Sequence, residues 1–206
     1  AAIVWGILIG SADLSVKEIV GILLKNMTGY DGFFDGQKNI EMIIWNIRFS
    51  RVVLAFLVGA SLSLAGAAFQ GLLQNSLADP YTIGISSGAS LGAVLCMYIS
   101  VPATFLAGFA QPLVAIVFGL LTLIIVLIIT NYSTGKLSNE TIILAGIIIS
   151  SFLSAVISLL IALSPREDIS NILYWLMGSV SMRGWGHVQL ITPFFLGGCA
   201  IHPLSF

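Results

Sequence analysis

Apolar runs separated by short polar breaks set the elements of this chain. Residues 52–69, 81–101, 112–132 and 141–163 contain no charged side chain. At about 1.5 Å of rise per residue, each run approaches or exceeds the roughly 30 Å of a hydrocarbon core, which predicts four complete spans. Residues 1–10 and 188–206 are apolar but shorter before a break, with Pro193 interrupting the second, and read as partial spans. Between the first two, Leu14, Ile19, Ile22 and Leu23 alternate with Asp13, Lys17, Glu18 and Lys25, the pattern of a short amphipathic piece lying at the membrane interface. Three glycines and two aspartates make residues 29–37 a loop. The uncharged, Pro102-containing stretch 100–111 predicts a tight reversal, and residues 131–140 a polar hairpin. Asp168 or Ser170 is placed to cap a short helix through Tyr174 and Trp175 that Gly178 closes.

Within the spans, small residues recur at a helical spacing. Ala55, Gly59, Ser63, Ala67 and Gly71 fall every fourth position, and Gly84, Gly88 and Gly92 repeat the device in the following run. Such rows let a neighbouring backbone approach closely, a main source of packing energy in lipid. The run 141–163 carries Gly146, Ser150, Ser154 and Ser158 in the same register, with Ser151 beside them. Two readings stand for these hydroxyls: lining a wet passage without the desolvation penalty of charges, or bonding back to their own helix carbonyls and packing. The run 112–132 has few polar side chains, and its most economical role is to face lipid.

Composition excludes other classes. At 58% hydrophobic and 8% charged residues, with a mean hydropathy of +1.05, the chain cannot cover a soluble surface. A net charge of -1 gives no basic face for nucleic acid. Cys96 and Cys199 lie in apolar runs and read as small packing residues; His187 and His202 lack spaced partners for a metal or catalytic site. There is no P-loop in the sequence.

The order of motifs over residues 45–92 is distinctive: Trp45, Arg48-Phe49-Ser50-Arg51, Gln70-Gly71, Asn75-Ser76-Leu77-Ala78-Asp79-Pro80 and Gly84-Ile85-Ser86-Ser87-Gly88-Ala89. It resembles the FecCD-like permeases of bacterial ABC importers for iron-siderophores, haem and vitamin B12, with serine at Ser50 and Ser76 where the family pattern has proline, a change that loosens two turns. The resemblance runs from about Gly10 to about Gln189. It implies an all-α, polytopic transmembrane bundle of the type II importer kind, here truncated to its amino-terminal portion. It also implies a multi-pass location in the bacterial cell membrane and three partners: a second permease subunit, a cytoplasmic ATPase that holds the ATP, and an extracytoplasmic substrate-binding protein. No cofactor is expected in this chain.

Roles for individual residues follow from that resemblance beside their bare physical readings. Arg48 and Arg51, three apart at a helix entrance, are interfacial arginines reaching phosphates, or the docking points for acidic side chains of the binding protein. Ser138, Asn139 and Glu140 form an ordinary helix start, or the gate at the cytoplasmic mouth of the passage. The resemblance favours passage lining for Gly146, Ser150, Ser151, Ser154 and Ser158. Residues 75–80 are a helix-reversing element. If spans alternate, Lys136 stands on one side and every other Lys and Arg on the opposite side. The positive-inside rule places the larger group in the cytoplasm; the resemblance places it outside, and we follow the resemblance because a truncated chain biases the count. The rival class is a secondary transporter or channel, which normally carries an ionisable group inside its spans.

Overall fold

The computed structural model describes residues 2–8, 15–30, 37–76, 78–99, 109–134, 138–181 and 183–201. Among these the regular structure is helical: α1 (Ala2–Leu8), α2 (Val16–Thr28), α3 (Lys38–Met42), a π-helical segment (Ile43–Phe49), α4 (Ser50–Leu73), a 3₁₀ turn (Pro80–Ile83), α5 (Ile85–Tyr98), α6 (Ala110–Thr134), α7 (Asn139–Leu163), α8 (Arg166–Met177) and α9 (Trp185–Ile201). Three helical stretches among the described residues are long and apolar enough to cross a membrane: Lys38–Leu73, Ala110–Tyr132 and Asn139–Leu163. The chain divides into two compact units, Ala1–Ala68 with Val180–Phe206, and Phe69–Ser179.

In the first unit, α2 begins with a capping box. Ser15 Oγ accepts from the Glu18 N–H at 3.2 Å, and Glu18 Oε2 accepts from the Ser15 N–H at 2.9 Å. Ser15 holds the Glu18 carboxyl below the usual carboxylate range through its side-chain and then its backbone hydrogen bond. Ile19 and Ile22 on α2 pack with Ile7 and Ile44, and Phe49 and Val52 close the cluster. A second cluster joins Leu54 and Leu57 of α4 to Val188 of α9, with Ile191 and Phe195 against it. The helix therefore continues through Pro193 instead of being interrupted there, and it starts at Trp185. Proline removes one ladder hydrogen bond, but packing of side chains on both sides of it holds the turn. Residues 202–206, including His202, lie outside the described residues, as do Asp13 and Leu14 of the amphipathic piece.

The expected helix entrance near Trp45 is also displaced. Helical backbone begins at Lys38 and runs continuously to Leu73, so Arg48 and Arg51 lie inside a 36-residue helix rather than at its start. Nor is Ser50 in a loosened turn. It is fully buried, and its hydroxyl donates to the Asn46 carbonyl at 2.5 Å, where the wide π turns give way to α.

The second unit is built on α5, α6 and α7. The hydropathy of the run 81–101 predicts one span, but Gly84 adopts φ 87°, which ends the 3₁₀ turn and restarts the chain as α5, only 14 residues long. Residues 100–108 lie outside the described set. Asp79 caps the 3₁₀ turn by accepting from the Tyr81 N–H at 2.8 Å, with Pro80 at the first position, where its missing N–H costs nothing. Gln70 Nε2 donates to the Ser76 carbonyl at 3.1 Å, tying the reversal to the end of α4. Leu91 and Val94 of α5 pack with Ile157 of α7 and Ile172 of α8. Helix α8 starts at Arg166 with Pro165 before it, which leaves Asp168 and Ser170 inside the helix rather than at its cap; Gly178 closes it as expected.

Candidate passage, gate and docking residues

Two rows with the same four-residue spacing have different surroundings. A Cβ built on Gly88 would collide with the Thr122 side chain and lie 2.8 Å from the Phe118 carbonyl oxygen; one on Gly92 would lie 2.7 Å from Phe118 Cβ. In the same unit, on α7, a Cβ on Gly146 would collide with the Thr82 carbonyl and lie 2.7 Å from Ile83 Cα. The backbones of α5, α6, α7 and the 3₁₀ turn thus meet at Gly84, Gly88, Gly92 and Gly146, all buried. By contrast Ala55, Gly59, Ser63, Ala67 and Gly71 are all exposed, and nothing lies within 4 Å of a Cβ on Gly59. Ser63 bonds back to the Gly59 carbonyl at 2.8 Å. The α4 row is a surface of the described residues and not a contact. Positions four apart drift by about 40° per step, so the five together sweep about 160° of the α4 surface, and all five are exposed.

The same drift divides the serine row of α7. Gly146 is buried, Ser150 half-buried, and Ser151, Ser154 and Ser158 exposed. Ser150 Oγ would stand 2.9 Å from a Cβ on Gly84, and this buried oxygen has no hydrogen-bond partner among the described residues. Ser151 donates to the Ile147 carbonyl and Ser158 to the Ser154 carbonyl, each at 2.9 Å. The row therefore combines one hydroxyl turned into a helix contact with three serines on an exposed face.

Helix α6 contradicts the lipid-facing reading on one side. Ala115, Gly119, Thr122 and Val126 are buried; Gly119 meets the Ile85 carbonyl, at 3.3 Å from a built Cβ. Thr122 Oγ1 donates to the Phe118 carbonyl at 2.8 Å, with its oxygen and Cβ against Gly88 and its methyl toward Gly84. Sequence reasoning missed Thr122. Its signal was present: a small or polar residue at 115, 119 and 122, spaced four then three, in an otherwise large apolar run.

At the start of α7, Ser138 Oγ accepts from the Thr141 N–H at 3.3 Å and lies 2.6 Å from Thr141 Oγ1. This is N-cap geometry, with Asn139 and Glu140 exposed in the first turn. Leu137 lies outside the described residues.

Arg48 and Arg51 are both half-buried. Trp45 and Phe49, beside them in sequence, form an aromatic triad with Trp185, with ring centroids 5.1 Å apart for Trp45–Phe49 and Trp45–Trp185 and 5.5 Å for Phe49–Trp185. Trp185 Nε1–H donates to the Trp45 carbonyl at 3.1 Å. Arg183 Nη1 lies 3.2 Å from His187 Nε2; burial, then the Arg183 charge, lowers the affinity of His187 for a proton. Indole rings with arginines beside them are the composition of a membrane headgroup belt.

Comparison with known proteins accords with this architecture. The sequence model of the FecCD transport family matches residues 1–204. The chain is 44% identical over 198 residues to the uncharacterized ABC transporter permease protein YvrB of Bacillus subtilis, covering 96% of this chain and 55% of that protein. It is 33% identical over 200 residues to the vitamin B12 import system permease protein BtuC of Salmonella paratyphi A, covering 94% and 60%. Among solved structures, a chain described as an inward-facing conformation of a transporter of the metal-chelate ABC type superposes with a TM-score of 0.75 at 28% identity, covering 94% of this chain and 55% of that one. This chain belongs to the FecCD transport family. It is an integral, multi-pass membrane component of the ABC permease class, and it spans between half and two thirds of the length of these relatives.

Proposed function

We propose that this chain forms the passage-bearing part of a permease subunit that imports a bulky metal chelate or corrinoid, an iron complex or cobalamin. It pairs with a second permease subunit, a separate cytoplasmic ATPase and an extracytoplasmic binding protein. The supporting observation is the distribution of charge. From Val52 to Ser138 the only charged residues are Asp79 and Lys136, both outside α4, α5 and α6. Beyond Arg51 in the first turn of α4, these helices carry no Asp, Glu, Lys, Arg or His to couple an ion gradient, which supports work entering from another subunit. The family match does not favour the secondary-transporter or channel alternative. The relatives' names carry the substrate class: vitamin B12 for BtuC and metal chelates for the structural neighbour.

In this reading Arg48 and Arg51 receive carboxylates of the binding protein by charge-assisted hydrogen bonds. Ser138, Asn139 and Glu140 narrow the cytoplasmic mouth, and Ser151, Ser154 and Ser158 present their exposed face to the passage. The test is a pull-down of the binding protein on the full-length permease in nanodiscs. Arg48→Glu with Arg51→Glu is expected to abolish capture while leaving the thermal transition in place; undiminished capture would remove these arginines from the docking role. Ligand-dependent fluorescence quenching of the binding protein, with cobalamin and with ferric siderophores, identifies the cargo.

A further inference from the structure

Helix α2 is apolar around more of its circumference than its own unit covers. Ile19 and Ile22 are turned into the cluster with Ile7 and Ile44. Val16, Val20, Leu24 and Met27 form a second stripe, within about 80° of one another on the helical wheel, and they are 59%, 46%, 39% and 70% exposed. Lys17 and Thr28 are exposed beyond its border. We infer that this outer stripe is a lipid-docking surface, inserted among the acyl chains at the bilayer boundary on the side where Arg48 and Arg51 lie.

The level of α2 supports a bilayer as the occupant in preference to a protein. The long helix Lys38–Leu73 carries Lys38, Glu41, Arg48 and Arg51 near its start and no charge from Val52 onward. That uncharged part is about 33 Å long by helical rise, close to the thickness of a hydrocarbon core. The bilayer boundary therefore falls beside Arg51 and Val52. Helix α2 packs at this level, because Ile44, Phe49 and Val52 share its cluster. Trp45, Phe49 and Trp185 mark the same level with an aromatic belt. A helix held at that level, with an apolar stripe left open and Lys17 at its edge, has the composition of an interfacial anchor.

Nitroxide labelling of the full-length protein in phosphatidylethanolamine–phosphatidylglycerol nanodiscs tests this assignment. A Cys199→Ser background leaves only the buried Cys96 among the described residues. Labels at Val20→Cys and Met27→Cys are compared with labels at Lys17→Cys and Thr28→Cys. Insertion predicts an oxygen-to-nickel-chelate accessibility ratio at least about threefold higher at the first pair than at the second. Equal ratios at all four sites would show a stripe bathed in water and overturn the inference. Exclusion of both reagents from Val20 and Met27 would show that a protein surface covers the stripe, and would overturn it equally.

Discussion

Gly88 and Gly59 look alike in sequence, each the member of a small-residue row in an uncharged helix, yet they differ in what an added methyl would meet. At Gly88 it strikes Thr122 and the Phe118 carbonyl; at Gly59 it meets nothing within 4 Å. Gly88→Ala is expected to destabilise the protein by about 1–3 kcal/mol through overpacking, and Gly59→Ala to be neutral or to stabilise by up to about 1 kcal/mol through helix propensity. Thermal unfolding in detergent micelles reads both; equal losses would show that the α4 row is packed after all. Ser150 gives a second contrast. Its hydroxyl is buried without a partner among the described residues, so Ser150→Ala is expected to be neutral or stabilising by up to about 1 kcal/mol. A clear loss of stability in the same assay would reveal a hydrogen bond made by Ser150. Sequence spacing gave the rows but not their partners, because a four-residue period identifies neighbours along a helix and says nothing about which side another helix approaches.

At the scale of elements, apolar run length located α6 and α7 well, since a charge-free stretch bounded by polar residues ends close to where the helix ends. It failed at residues 38–51 and 81–84. Arg48 and Arg51 read as a helix entrance, whereas the helix starts at Lys38, ahead of the apolar run, and widens into π turns. Within those turns the Trp45 carbonyl accepts from Trp185, 140 residues away, a partner no local pattern reveals. Trp185→Phe keeps the ring contacts but removes that donor, and it should lower the stability of this end of the helix by about 0.5–1.5 kcal/mol. Hydrogen exchange at Asn46, Ile47 and Arg48 checks this: faster exchange is expected, and unchanged protection would show that the π segment does not depend on the indole bond. The break at Gly84 was missed for a different reason. A single left-handed glycine inside an uncharged run does not alter its hydropathy, although it divides one apparent span into a 3₁₀ turn and a 14-residue helix.

For the whole molecule, the legible part was the class. Composition required a membrane, and the motif order over residues 45–92 pointed to the family that the comparison then gave for residues 1–204. The cargo was not legible, because helices with so few charged side chains leave little chemical signature of what passes them. In the proposed function the energy for transport enters from the ATPase. The direct measurement is uptake of labelled cobalamin and ferric siderophore into proteoliposomes holding the full-length permease, with its binding protein supplied outside, in the presence and absence of the partner ATPase. Accumulation that requires the ATPase and internal ATP, and that persists when proton and sodium gradients are dissipated, is the predicted result. Accumulation driven by an ion gradient without the ATPase would contradict it.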